Sequence, residues 1–142
     1  MNILLIEDEV KIAEFVIKGL SQAGFDVTHA HDGASGLDLI REGRHELVVL
    51  DVMLPKMDGF EVFTRLRENP ATEHIPVVFV TARTDNDSEI LGLKAGAVDY
   101  IHKPIQVGIA RIRVQQQLEL SRQRIQLQQL LRERTLDRKS TR

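Results

Sequence analysis

Short apolar runs that alternate with helical periods predict a doubly wound α/β fold, a parallel sheet covered by helices on both sides. Residues 2–6, 46–50 and 77–80 are nearly continuous in Ile, Leu, Val and Phe, the pattern of strands buried on both faces. Between them, apolar residues recur at intervals of three and four, as on a helix that lays one side against a sheet. The third observation is chemical. Glu7-Asp8, Asp51, Thr81 and Lys103 each fall at or just past the end of an apolar run. In open α/β sheets, ligands sit beyond the carboxyl ends of the strands, so the four positions converge on one sheet edge.

Taken in order, Asn2-Ile3-Leu4-Leu5-Ile6 is the first strand, and Ile12, Phe15, Val16 and Leu20 give the first helix its apolar period. Ala23-Gly24 ends that helix before a strand at Phe25–Ala30. Asp32-Gly33 opens a second helix with Leu37, Leu39 and Ile40, followed by the strand at 46–50. Phe60, Val62, Phe63 and Leu66 mark a third helix that Asn69-Pro70 stops, and Val77–Val80 is the next strand. Ile90, Leu91, Leu93 and Ala95 give a fourth helix, ended by Ala95-Gly96-Ala97 before a short strand near Asp99–Ile101.

Beyond Pro104 the pattern changes. Residues 105–137 hold one glycine, no proline and many Gln, Arg, Leu and Glu, which predicts one long helix. Ile105, Ile109, Ile112 and Leu118 form an apolar stripe expected to cover the sheet. Leu120, Ile125, Leu127, Leu130 and Leu131 form a seam broken by Arg124 and Gln128, which calls for a partner. Residues 138–142 are expected to fray. The domain is thus placed at 1–120 and a helical extension at 121–142.

At 142 residues the chain suits one domain with a real core. No stretch approaches the roughly 20 apolar residues of a membrane span, and the first residues lack the basic leader of a signal peptide. With no cysteine, disulfides and thiolate metal sites are excluded, and the expected compartment is the cytoplasm. The net charge of −2 hides an asymmetry: residues 1–105 carry 10 Lys/Arg against 18 Asp/Glu, residues 106–142 carry 9 against 3. The basic part has no interleaved aromatics and no second helix after a turn, so it reads as a solvated helix surface and not a nucleic-acid patch.

Adjacent Glu7 and Asp8 close to Asp51 would repel one another unless a cation sits among them, and Mg2+, a hard ion that takes carboxylate oxygens, suits that place. The competing view is that Glu7-Asp8-Glu9 caps the first helix. Asp51 follows Val48-Val49-Leu50 directly and precedes the loop Leu54-Pro55-Lys56-Met57-Asp58-Gly59. A carboxylate so placed is a nucleophile toward phosphorus and yields an aspartyl phosphate. The charge of the transferring phosphoryl group then needs electrophiles, which Mg2+, the Lys103 ammonium and the Thr81 hydroxyl supply. Alone, Thr81 is a strand-end cap and Lys103 a surface lysine; their value lies in the spacing of all four.

The segments Leu5-Ile6-Glu7-Asp8-Glu9, Val49–Gly59, Val80-Thr81-Ala82 and Gly96–Pro104 resemble the receiver domain of two-component response regulators, over about residues 1–120. The resemblance implies a flavodoxin-like (βα)5 sheet of order 2-1-3-4-5, a cis Lys103-Pro104 bond, and Asp51 as phosphoacceptor. It further implies that Asp8, Asp51 and the Met53 carbonyl hold Mg2+, with Glu7 acting through a water. Thr81 and Lys103 would contact the phosphoryl oxygens, and Tyr100 would change rotamer with Thr81. Such a protein is a switch, not an enzyme, beyond assisting its own phosphotransfer and slow dephosphorylation. Its expected partners are a sensor histidine kinase or phosphotransfer protein, and a second copy joined through Leu120, Ile125, Leu127 and Leu131, with no direct nucleic-acid contact and no membrane. The face at residues 85–101 would expose the change. Residues 1–60 are most similar to receivers attached to DNA-binding outputs, residues 90–135 to those that precede a cyclic-nucleotide enzyme domain through a helical linker.

Other constellations carry less. His29 and His31 alternate on a strand but lack a third ligand, and His74 and His102 have no acid at useful spacing. Met53 and Arg83, which border the site, offer no carboxylate or amide to position a water, so slow self-hydrolysis is expected. A phosphatase of the haloacid-dehalogenase class needs a second Asp where Met53 stands, and a flavodoxin needs a phosphate loop where Glu7-Asp8-Glu9 stands. A receiver-fold interaction module that is never phosphorylated is the remaining alternative.

Overall fold

A computed structural model of the chain describes residues 1–82 and 99–140, with side chains of the final helix described to residue 135. The elements are β1 (Asn2–Ile6), α1 (Val10–Gln22), β2 (Asp26–Ala30), α2 (Gly33–Ile40), β3 (Leu47–Asp51), α3 (Gly59–Glu68), β4 (Val77–Ala82), β5 (Asp99–Lys103) and α4 (Val107–Ser140). The helix expected around Ile90–Ala95, Arg83, and most of the face at 85–101 lie outside the described residues. Among those described, no helix is long and apolar enough to cross a membrane.

The sheet is parallel with order β2-β1-β3-β4-β5, as expected. Every residue of β3 is buried, because helices cover both faces. One core layer packs Leu4, Ile6, Val48, Leu50, Val77 and Phe79 against α2 and α3. The other packs Ile3, Leu5, Val49, Val78 and Val80 against α1 and α4. Phe63 and Phe79, both fully buried, meet at 5.4 Å between ring centroids. Each buried side chain of this size contributes about 1.5–3 kcal/mol.

Two helices start on aspartate caps: Asp32 accepts from the Ser35 N–H at 2.7 Å and Asp58 from the Glu61 N–H at 2.9 Å. The Glu9 side chain makes no such bond at the start of α1, so the acids at residues 7–9 are not explained as a cap.

Helix α4 departs from the expected stripe. Its buried face is Ala110, Val114, Gln117 and Leu118, while Ile109 and Ile112 are 43% and 54% exposed. Val107 packs where Gly19 has no side chain, and Arg111 donates to the Gly19 carbonyl at 2.9 Å. These two contacts fix the rotation of α4, and small Ala110, not a bulky isoleucine, faces the sheet. The helix also begins at Val107 and not at 105, and it runs through Ser140. On α1, Phe15 is 51% exposed, and the packed positions are Ala13, Val16 and Leu20.

Candidate functional site

The strand register brings the singled-out residues to one edge. Asp51 ends β3 and pairs with Val80, which puts Thr81 one step further along β4; Ala82 pairs with Lys103 at the end of β5. Ile6 pairs with Leu50, so Glu7-Asp8 emerge beside Asp51. Continuous apolar residues hold each strand in the core up to the point where polar side chains leave it.

The carboxylates of Glu7, Asp8 and Asp51 offer oxygens that all lie within 4.8 Å of one another, the only such group among the described residues. Glu7 and Asp51 are each 1% exposed. Lys103 Nζ donates to Asp51 Oδ2 at 3.1 Å and lies 3.9 Å from Glu7 Oε1. Glu7 Oε1 has no hydrogen-bond partner. Burial first, then hydrogen bonding to and repulsion from Asp51, push the Glu7 carboxyl up to about 9. Burial works to lower the Lys103 pKa, but the hydrogen bond and attraction to Asp51, with Glu7 and Glu9, outweigh it and the net shift is upward.

A buried cluster of acids with an orphaned oxygen and an open, exposed Asp8 beside it is the donor set a hard divalent cation takes. The residues present therefore fit Mg2+.

The loop after β3 is shaped around Asp51. The Met53 N–H donates to Asp51 Oδ1 at 3.1 Å, and Lys56 adopts φ 66°. Gly59 then returns against the strand, its N–H donating to the Val52 carbonyl at 3.0 Å. A Cβ on Gly59 would stand 2.4 Å from the Asp51 carbonyl oxygen, a distance no side chain permits. Met53 itself is 66% exposed at the rim.

Thr81 is buried, and its hydroxyl donates to the Ala82 carbonyl at 2.9 Å. Tyr100 is not among the carboxylates: it pairs with Phe79 in the sheet and stacks on it, 6.4 Å between centroids. The Lys103-Pro104 bond is cis, as expected. Among the described residues the histidine pair gathers no acid into a metal group; His29 Nε2 instead donates to the Glu7 carbonyl at 2.7 Å, beside His31 at 4.3 Å between rings.

Three supporting residues were not singled out in the sequence. Gly59 lies in the quoted loop without a role there. Arg113 grips both oxygens of Asp99 at 2.9 and 3.1 Å, and Arg111 ties α4 to α1 through Gly19 and Gln22. Only the glycine has a local signal, its place just before an apolar helical period; the arginines find partners 14 and 92 residues away.

Comparison with known proteins agrees with this geometry. The family profile of the response regulator receiver domain matches residues 3–115. The transcriptional regulatory protein AfsQ1 of Streptomyces coelicolor is 45% identical over 114 residues, 79% of this chain and 49% of its own length. A probable cyclic di-GMP phosphodiesterase of Vibrio cholerae is 36% identical over 121 residues, 85% of this chain and 27% of its own length. The chain thus spans between about a quarter and a half of these relatives. The solved receiver domain of a Francisella response regulator superposes with a TM-score of 0.78 at 32% identity, covering 84% of this chain and 98% of that one. With the profile spanning most of its length, the chain belongs to the response regulator receiver domain family.

Proposed function

We propose that the protein is a phosphorylation-controlled switch whose acceptor is Asp51. The observation that carries this reading is the Asp51 carboxylate, buried at a strand end, held by the Lys103 ammonium on one oxygen and the Met53 N–H on the other. Two donors from different elements fix the orientation of the carboxylate.

In the proposed reaction an Asp51 oxygen attacks phosphorus of a phosphohistidine on a sensor histidine kinase or phosphotransfer protein. The O–P bond forms, the N–P bond breaks, and the imidazole nitrogen leaves with the electron pair and takes a proton from solvent. Asp8, Asp51 and the Met53 carbonyl would hold Mg2+, with Glu7 reaching it through a water. That ion supplies charge stabilisation for the phosphoryl oxygens. Lys103 releases its bond to Asp51 and turns to a phosphoryl oxygen. Thr81 exchanges the Ala82 carbonyl for another, and Tyr100, one strand over, repacks as Thr81 moves. The new charge shifts a two-state equilibrium.

The same chemistry holds the group instead of turning it over, so the protein acts as a signalling device in the cytoplasm. The receiver proper is assigned to residues 1–120 and the extension to 121–142. Helix α4 would carry the state onward, to a second copy or to an output; the relatives named above include a transcriptional regulator and a cyclic-nucleotide enzyme.

The test is acetyl phosphate with Mg2+ followed by intact-mass measurement of wild type and Asp51→Asn. Wild type should gain one phosphoryl group and the variant none; a gain in both refutes the site. No gain in either would favour the unphosphorylated interaction module.

A further inference from the structure

We propose that two copies of the chain pair through α4 as a parallel, in-register coiled coil, and that charge on either side of the seam excludes the antiparallel alternative. The proposal rests on the reading above only in taking a second copy as the partner of α4.

The surface comes from the rotation of the helix. At about 100° per residue, Leu120, Leu127, Leu130 and Leu131 share one side of α4, whose centre lies about a third of a turn from the centre of the face that packs on the sheet. All four are at least half exposed. Ile109 and Ile112, which turn away from the sheet, lie on that same side two to three turns upstream. The outward isoleucines and the leucine seam are therefore one stripe running from Ile109 to Leu131. Ile125 falls on the opposite side, in line with Leu118, and is not part of it.

Written as heptads, Leu120 and Leu127 occupy position a, and Ile109, Gln116, Gln123 and Leu130 position d. Arg113 would fall at a as well, but it is engaged with Asp99. Position g then holds Glu119 and Glu133, and position e holds Arg124 and Leu131. The stripe is flanked by acid on one side and base on the other. Among the described residues Glu119 has only exposed partners, Arg122 at 3.9 Å and Gln123 at 3.3 Å, so it is available to a second chain.

The two orientations use these flanks differently. A parallel in-register pair sets g against the e position five residues on in the other chain, which matches Glu119 with Arg124 of the second copy, twice by symmetry. The sequence repeats this spacing at Glu133 and Arg138. An antiparallel pair that overlaps the same leucines is centred near residue 126 and sets g against g. Glu119 then meets Glu133, and Arg124 loses its acid. Like charges across the seam are unfavourable, and the parallel register removes them.

Because the chain has no cysteine, single cysteines report the pairing directly. Gln116→Cys and Gln123→Cys, at exposed d positions, should each form a disulfide-linked dimer under mild oxidation. Gln128→Cys, off the stripe, should not. In the antiparallel arrangement the two 116 positions stand about 30 Å apart at 1.5 Å per residue, and Gln116→Cys would stay monomeric. Glu119→Arg and Arg124→Glu should each raise the dissociation constant about tenfold in sedimentation, and the double reversal should restore it. Circular dichroism confirms that each variant keeps its helix. A monomer at all concentrations, with and without acetyl phosphate, overturns the surface. A dimer that cross-links at 123 but not at 116, or charge reversals that merely add, overturns the orientation. Intact-mass labelling of the same variants reads Asp51 independently, so failure of the seam and failure of the acceptor are told apart.

Discussion

Lys103 Nζ lies 3.1 Å from Asp51 Oδ2 and 3.9 Å from Glu7 Oε1, so one ammonium serves two buried carboxyl groups contributed by β3 and the end of β1. Removing it leaves a buried charge with no cation beside it. Lys103→Met is expected to lower stability by about 2 kcal/mol in metal-free buffer, less than for a fully buried pair because the lysine keeps some solvent contact. Added Mg2+ should recover part of that loss. Urea melts in EDTA and in Mg2+ check both statements; coincident curves for variant and wild type in EDTA would show the pair to be worthless.

Glu7 gives the stability a pH dependence of definite sign. Its folded pKa, about 9, stands above the ordinary 4.5, so the folded protein binds the extra proton. The contribution is full below about 4.5 and is lost as pH rises through about 9. Glu7→Gln, which keeps the shape and cannot ionise, should flatten the decline between neutral pH and 9 and raise stability near pH 9 by on the order of 2 kcal/mol. Buried His45, with Nδ1 unpartnered and its pKa lowered by burial and by Arg44, acts in the other direction. Its contribution is full above 6.5 and falls as pH drops below that, so it does not mask the alkaline slope. Thermal melts from pH 5 to 9 in EDTA measure it; parallel profiles for the two proteins would contradict the assignment.

Gly59 is required by distance, not by its own dihedral angles. The 2.4 Å approach of any Cβ to the Asp51 carbonyl means Gly59→Ala must push the loop off the strand. The cost is expected at about 2–3 kcal/mol, as for overpacking in a closed site. The loop carries the Met53 N–H that holds Asp51 Oδ1, so phosphorylation by acetyl phosphate should slow as well. A folded Gly59→Ala that labels at the wild-type rate would separate the loop from the acceptor.

Strands β1, β3 and β4, with the acids at the ends of β1 and β3 and the threonine near the end of β4, were legible because burial on both faces demands unbroken apolar runs, and the carboxyl ends are where such runs must stop. Strand β5 was shorter in the sequence than in the fold, since His102 and Lys103 carry no strand period and are held by pairing with Thr81 and Ala82. The rotation of α4 was misread at Ile109 and Ile112. Apolar periodicity cannot say which of two stripes faces the sheet, and the choice is made by Gly19 and Arg111, about 90 residues apart. Asp99-Arg113 was invisible for the same reason: a surface acid and a helical arginine become a pair only after β5 and α4 are placed.

Met53 sits at the rim, 66% exposed, two residues past Asp51. A thioether offers an attacking water neither a base nor a strong hydrogen bond, so the aspartyl phosphate should persist. Met53→Asn supplies an amide there and is expected to shorten the lifetime about tenfold, roughly 1.4 kcal/mol off the barrier. The decay of phosphorylated protein by intact mass, after removal of acetyl phosphate, decides it. An unchanged lifetime would mean that this position does not govern access of water.

The Asp99 carboxylate is where β5 is fastened to the helix that would carry the signal. It accepts the Tyr100 N–H at 2.8 Å and both contacts from Arg113, so movement of the backbone at Tyr100 is coupled to the second turn of α4. Arg113 is 43% exposed, and the bare pair is worth no more than about 1 kcal/mol. Its importance lies in connection, not stability. Arg111, tied to Gly19 and Gln22, fastens the same helix to α1, which contains neither Thr81 nor Tyr100. Arg113→Ala should therefore leave global melting within about 1 kcal/mol of wild type while abolishing most of the phosphorylation-dependent change in hydrogen exchange over residues 107–118. Arg111→Ala should loosen the helix equally in both states and preserve the difference between them. If the two variants behave alike, the route through Asp99 is not the one that links the acceptor to α4.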